Sequence, residues 1–453
     1  MRFLGHPVGL AVLFGTEMWE RFCYYGMSAL LTFYMVDFLF AGAEPQSVLG
    51  YPAVKGAFEF VYGPLGTQPL AALVFGLYAA LTYLTGVVGG TIADRYLGQR
   101  RAVILGGSTM ALGQILLMQP RLFFIGLVVL VIGNGFFKPN IATQVGGLYK
   151  PGDARIDRAY SIFYVGINLG ALLAPPICGR LGHAAPGQPP HWQWGFAAAA
   201  VGMCIGLVIF LAGARFLPPD VRARRLQAES STGVGAVRLT AIERRTVLAL
   251  VMVAFCNLFF WGCYGQQYIT IALMAEQNSN LGTPLGVLRP EDVQSFNPFY
   301  IFLLTPFIIA FWAWQARRRL EPAPVTKMAI GCAATALCFA MLMVPAMAID
   351  AGHRVPVLWL FAAIGVLTLG ELYLSPVGLS LFSRTAPAKL ASLMMGVNYL
   401  SIFGGNYLAG YLAHFWSGMG KAAFFGMIAV IAGLASVGMF GLSRVLNPML
   451  KEG

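Results

Sequence analysis

Twelve stretches of the chain are apolar enough and long enough to cross a lipid bilayer, which takes ~20 helical residues. They lie at about 8–38, 70–93, 101–119, 122–149, 158–183, 192–216, 242–275, 293–316, 325–348, 354–383, 390–415 and 421–445. Mostly short polar segments separate them. A polar one, residues 217–241, runs from Leu217-Pro218-Pro219-Asp220 through a Ser230-Ser231-Thr232-Gly233 patch and is rich in Arg, Gly and Ser. It divides six spans from six, so the pattern predicts an N-terminal bundle over 1–216, a cytoplasmic linker over 217–241 and a C-terminal bundle over 242–453. The expected class is an all-α membrane protein of twelve transmembrane helices. Two six-helix halves around a central site are a recurring transporter plan, with substrate held between them near the midplane.

Composition excludes a soluble domain. Only 11% of the 453 residues are charged and mean hydropathy is +0.71, against about 25% charged in soluble proteins. The net charge of +12 would suggest nucleic acid in a soluble chain, but its distribution accounts for it otherwise. With both termini cytoplasmic, 22 Lys and Arg fall on inside segments and 6 on outside loops, leaving Arg21 and Lys138 within the membrane. That is the positive-inside asymmetry of an inner-membrane protein, and no nucleic-acid partner is needed. The first apolar run is too long for a signal-peptide core and is read as retained. Seven cysteines lack metal or disulfide spacing, and the five histidines are scattered, so neither a metal nor another cofactor is expected.

The first span is interrupted. Glu17, Glu20, Arg21, Tyr24, Tyr25 and Ser28 recur at i, i+3, i+4, i+7, i+8 and i+11, which is one helix face. A charge at membrane depth costs roughly 3 kcal/mol or more, so such residues face water or one another. Two carboxylates beside a guanidinium form a proton-titratable cluster, because Arg stays charged while a Glu can take up and release a proton. A static interhelical salt bridge is the plainer alternative.

Glu17-x-x-Glu20-Arg21-Phe22-x-Tyr24-Tyr25-Gly26 resembles the first-helix signature of the proton-dependent oligopeptide transporter family, a branch of the major facilitator superfamily. Gly89-Gly90-Thr91-Ile92-Ala93-Asp94-Arg95-Tyr96-Leu97-Gly98 is similar to its pattern after the second span, and Phe163-Tyr164-Val165-Gly166-Ile167-Asn168-Leu169-Gly170 to its fifth-span pattern. The resemblance implies the major facilitator fold. It also implies that Asp94, Arg95, Gly98, Arg100 and Arg101 form a cytoplasmic turn that supports the outward-open state.

Lys138, in Gly135-Phe136-Phe137-Lys138-Pro139-Asn140, sits too deep in the fourth span to snorkel. A buried Lys needs a counter-charge or loses its proton. Glu371, the carboxylate inside the tenth span, is the best candidate, and the resemblance implies a Lys138–Glu371 gate that closes the cytoplasmic side. Motif correspondence adds Tyr83, Asn168, Trp261 and Asn297. Around a zwitterion these residues have clear uses: Arg21 and Lys138 for a carboxylate, Glu371 for an ammonium, Asn168 and Asn297 for an amide or terminus. Tyr24, Tyr25 and Tyr83 offer hydrogen bonds with apolar walls.

Two departures stand out. The family's seventh-span Glu, four residues after the Trp, is Gly265 here, and its first-span Arg partner is Ser28. Losing one charge would strand the other, so joint loss is coherent. Asn398 also stands where the family commonly has Trp. The expected function is a proton-coupled symporter that imports di- or tripeptides or peptide-like solutes by alternating access as a monomer. Nitrate, a nucleoside or a modified amino acid is the alternative cargo. No catalytic constellation points to an enzyme.

Overall fold

A computed structural model describes residues 2–3, 5–42, 44–150, 153, 155–183, 189–219, 240–284, 286–387 and 390–449. The linker proper, residues 220–239, lies outside them, as does Lys389. Twelve long helices, the shortest 19 residues, carry the described chain. They are α1 (Val8–Phe33), α3 (Thr67–Ile92), α4 (Gln99–Leu117), α5 (Phe123–Gly147), α6 (Ile156–Gly182), α7 (Trp192–Gly213), α8 (Ala241–Tyr264), α10 (Phe296–Arg317), α11 (Pro324–Asp350), α12 (Leu358–Thr385), α13 (Ala391–Ala413) and α14 (Lys421–Met449). Two shorter helices, α2 (Tyr51–Tyr62) and α9 (Thr270–Asn278), sit between them. The only strands among the described residues are two-residue pieces, so the expectation of an all-α membrane protein holds.

Ten of these helical segments are long and apolar enough to cross a membrane by themselves. The other two, α4 and α13, open on Gln99-Arg100-Arg101 or carry Asn398 and Asn406. The outer surface supports the same reading. Val208, Phe307 and Leu434 are each more than 60% exposed, a waste of apolar area in water but the natural face toward lipid.

The chain divides into two compact units, Met1–Thr67 with Leu81–Gly233, and Gln68–Ala80 with Val234–Gly453. In the first, α1 packs on α6 and α7, and α4 packs on α5 and α7. The α4–α5 seam is lined by glycines: a Cβ on Gly106 would lie 2.6 Å from the Phe137 nitrogen, and one on Gly113 2.6 Å from Leu130 Cγ. Small residues let backbones approach where lipid gives no hydrophobic drive. Gly98 turns the chain from α3 into α4 at φ +82°, a conformation that suits glycine. Arg100 then donates from Nε to the Pro218 carbonyl at 2.8 Å and from Nη2 to the Leu217 carbonyl, tying that turn to the start of the linker.

In the second unit, α11 packs on α12 and α14, and α8 on α13 and α14. Residues 68–80 of α3 belong here: Gln68 Nε2 donates to the Ala413 carbonyl at 2.9 Å, and a Cβ on Gly76 would sit 2.7 Å from the Gly410 Cα. Thr240 and Glu243 form a reciprocal cap that starts α8, satisfying backbone donors at the helix start. The seventh span then breaks. A tight turn, Gly265–Tyr268, separates α8 from α9, at the position where the sequence has glycine in place of the family's Glu.

Candidate functional site

In the first unit, one face of α1 gathers buried charge. Arg21 is 4% exposed, Glu17 3% and Glu20 not at all. Arg21 grips Glu20 with two bonds, Nε to Oε2 at 2.5 Å and Nη2 to Oε1 at 2.7 Å, and reaches Glu17 Oε1 from Nε at 3.2 Å. The second Glu17 oxygen is buried without a hydrogen bond. Helical spacing makes this cluster. Residues 17 and 21 share a face, and the long Arg21 side chain also turns onto Glu20, its neighbour in sequence. Neighbouring α6 holds the backbone in place. A side chain at Gly170 would run into the Met18 carbonyl and Arg21 Cβ, so the glycine that closes the fifth-span motif is what lets α6 seat beside the cluster.

Aromatic rings continue the face. The Arg21 guanidinium lies 5.2 Å from the Tyr24 ring centroid, and Tyr24 meets Tyr25 edge-on at 5.3 Å. Lys138 Nζ sits 4.3 Å over the Tyr83 ring, an attraction between ammonium and ring quadrupole. That pairing depends on how α3 and α5 dock. A Cβ on Gly135 would fall 2.7 Å from the Thr85 carbonyl oxygen, and Thr85 Oγ1 donates to the Val131 carbonyl at 3.0 Å. Asn168 uses Nδ2 on the Tyr164 carbonyl of its own helix at 3.0 Å, which keeps its amide oxygen for other partners.

The second unit has a different character. Glu371 on α12 accepts at Oε2 from the Tyr264 hydroxyl and from Asn297 Nδ2, each at 2.8 Å. Asn297 also donates to Thr368 Oγ1 at 3.0 Å. Trp261 supplies no bond to Glu371. Its ring stands edge-on to Tyr264 at 5.3 Å and its Nε1 is buried without a hydrogen bond. Lys138 and Glu371 belong to different units, and each has these partners within its own.

The two departures from the motif are closed positions. Ser28 is 2% exposed. A Cβ on Gly265 would lie 2.6 Å from Ala409 Cβ, and Gln266 next to it donates from Nε2 to the Ala409 carbonyl at 2.9 Å. Close packing between α8 and α13 therefore fills the place of the missing carboxylate. Asn398 is buried on α13. Tyr264 and Thr368 were not singled out in the sequence. Tyr264 falls three residues after Trp261, hence on the same helix face, and that spacing was the available signal.

Comparison with known proteins gives the family and the fold. The POT family model matches residues 100–221 and 220–427. The di-/tripeptide transporter of Lactococcus lactis subsp. lactis is 30% identical over 99% of this chain and 97% of its own length. A crystal structure of the peptide transporter POT in complex with sulfate superposes with a TM-score of 0.84 at 30% identity, covering 99% of this chain and 97% of that one. A POT family transporter in complex with 5-aminolevulinic acid gives 0.81 at 26% identity, covering 98% and 97%.

Proposed function

The chain belongs to the POT family, and from that premise we propose that it imports di- and tripeptides, or peptide-like zwitterions, together with protons. It is an integral membrane transporter and not an enzyme. The observation that carries proton coupling is the Glu17–Glu20–Arg21 cluster. Two buried carboxylates share one guanidinium, so their local sum is one negative charge and a single proton neutralises it. Glu17 is the carboxylate whose protonation disturbs least, because it holds Arg21 by one contact and Glu20 by two.

These bonds support a cycle of the following form. A proton on the cluster loosens Arg21, which turns to a substrate carboxylate, with Tyr24, Tyr25 and Tyr83 walling the side chains. Glu371 takes the ammonium, and Asn168 and Asn297 take amide or terminal groups. A Lys138–Glu371 contact, made and broken once per cycle, gates the cytoplasmic side. The membrane potential adds roughly 2.3 kcal/mol per charge per 100 mV, enough to drive uphill uptake. The positive-inside asymmetry supports a bacterial-type inner membrane with both termini cytoplasmic, and every group named comes from one chain, so a monomer suffices.

A second reading, an amino-acid-like or other non-peptide cargo, is favoured by Ser28, Gly265 and Asn398, where this chain departs from the family motif. Labelled di-alanine uptake into proteoliposomes, with and without an inward proton gradient, tests the proposal. Gradient-driven uptake supports it. Uptake that ignores pH, with Glu20→Gln equal to wild type, sinks it. A proton-driven current for another solute, without di-alanine uptake, establishes the second reading.

A further inference from the structure

Tyr264 lies on α8 immediately before the break at Gly265 and is 6% exposed. Its ring is stacked on Phe260 at 5.8 Å and stands edge-on to Trp261. Its hydroxyl and the Asn297 amide, from α8 and α10, both donate to Glu371 Oε2. Asn297 is itself oriented by Thr368, whose hydroxyl donates to the Ile364 carbonyl at 2.7 Å. Neither donor reaches Oε1. A carboxylate gripped at one oxygen by two charge-assisted bonds loses both if it rotates, so its other oxygen is presented in one direction. One donor alone would leave that rotation open.

We propose that Tyr264 is a positioning residue which, through Glu371, sets the preference of the transporter for substrates with a free ammonium group. The inference rests on the peptide reading above. The turn that follows Tyr264 has no acid of its own, since residue 265 is glycine and Ala409 occupies the space beside it. Recognition of an amine by this part of the second unit therefore falls to Glu371, and Glu371 depends on how its oxygens are aimed. Ring packing alone does not explain the residue. Phenylalanine would stack on Phe260 and Trp261 equally well, and only the hydroxyl reaches Glu371.

The test is competition against labelled di-alanine in proteoliposomes, using unlabelled di-alanine and its N-acetyl derivative as the two competitors. In wild type the free-amine competitor is much the stronger. Tyr264→Phe is expected to weaken it about tenfold, the scale of one hydrogen bond to a charged group, and to leave the acetylated competitor unchanged. The selectivity ratio then collapses by the same factor. An unchanged ratio, or an equal fall for both competitors, overturns the inference. A thermal double-mutant cycle of Tyr264→Phe with Glu371→Gln on ligand-free protein is the second measurement: coupled midpoints are expected, and additive ones overturn it. Absence of di-alanine uptake by wild type takes down the peptide reading and this inference together, which sets that failure apart from an unchanged ratio in an active transporter.

Discussion

The two units solve the problem of polar groups in a membrane differently. In the first, Glu17, Glu20 and Arg21 meet as full charges with little exposure, and Lys138 rests on the Tyr83 ring. In the second, Glu371 is held by neutral donors, Tyr264 and Asn297, and Gly265 packs tightly against Ala409. An ion cluster responds to one proton by rearranging, because each bond in it depends on charge. A carboxylate held by neutral donors keeps its geometry when a distant group titrates. In the proposed cycle, energy coupling belongs to the ion cluster of the first unit, and the second unit contributes the ammonium contact through Glu371.

Removing Arg21 is the most severe way to probe that division. Arg21→Ala leaves two buried carboxylates without a counter-charge, at a cost of about 3–5 kcal/mol. Gradient-driven uptake is expected to fall by a hundredfold or more, with a lower yield of folded protein by size-exclusion chromatography. Near-normal uptake by this variant would place the coupling site elsewhere.

The next largest effect separates the units. Glu17→Gln is expected to abolish accumulation against a gradient while counterflow of preloaded di-alanine continues, since exchange needs no net proton movement. Glu371→Gln is expected to raise KM about ten- to a hundredfold, from loss of a charge-assisted contact, with the dependence on proton gradient retained. Uptake by Glu371→Gln that ignores the gradient would erase the distinction between coupling and recognition.

Much of this was legible in the sequence, and the reasons differ from residue to residue. Periodicity placed Glu17, Glu20 and Arg21 on one face because helical spacing alone fixes that geometry. The depth of Lys138 made a partner necessary, but sequence could not show its seat over Tyr83, which depends on α3 docking through Gly89, Thr85 and Gly135. Tyr264 is hidden in the sequence for a similar reason: its hydroxyl bonds a residue 107 positions away, and among 18 tyrosines nothing local marks it. The break after Tyr264 was also hidden, since residues 242–275 read as one apolar run.

Packing at that break gives a smaller prediction. A methyl at residue 265 would sit 2.6 Å from Ala409 Cβ, and overpacking a close contact costs about 1–3 kcal/mol. Gly265→Ala should lower the thermal midpoint of the purified protein while leaving the pH dependence of uptake intact. The paired replacement Ser28→Arg with Gly265→Glu should be worse than either change alone, because each buries a charge in a filled position. A double variant more stable than both singles would show that the two introduced charges are accommodated, and that position 265 is less closed than its packing indicates.

The smallest effect belongs to a charged contact outside the membrane. Asp153, after α5, accepts from the Arg155 side chain at Oδ1 (3.1 Å) and Oδ2 (2.7 Å), and from the Arg155 backbone N–H at 2.9 Å. The Arg155 side-chain bonds, followed by that backbone bond, hold its carboxyl down to about 2. A carboxyl held below its unfolded value, ~3.9, contributes stability at pH above that value and loses it as pH falls toward 2. Between pH 5 and 8 the contribution is constant. The pair is partly open to solvent, where ion pairs are worth little, so Asp153→Asn should leave the shape of the pH–uptake curve unchanged across that range. Glu17→Gln should flatten the same curve. A curve that moves with Asp153→Asn and not with Glu17→Gln would shift the proton-sensing element from the buried cluster to the loop, and no contrast between the two units could then account for coupling.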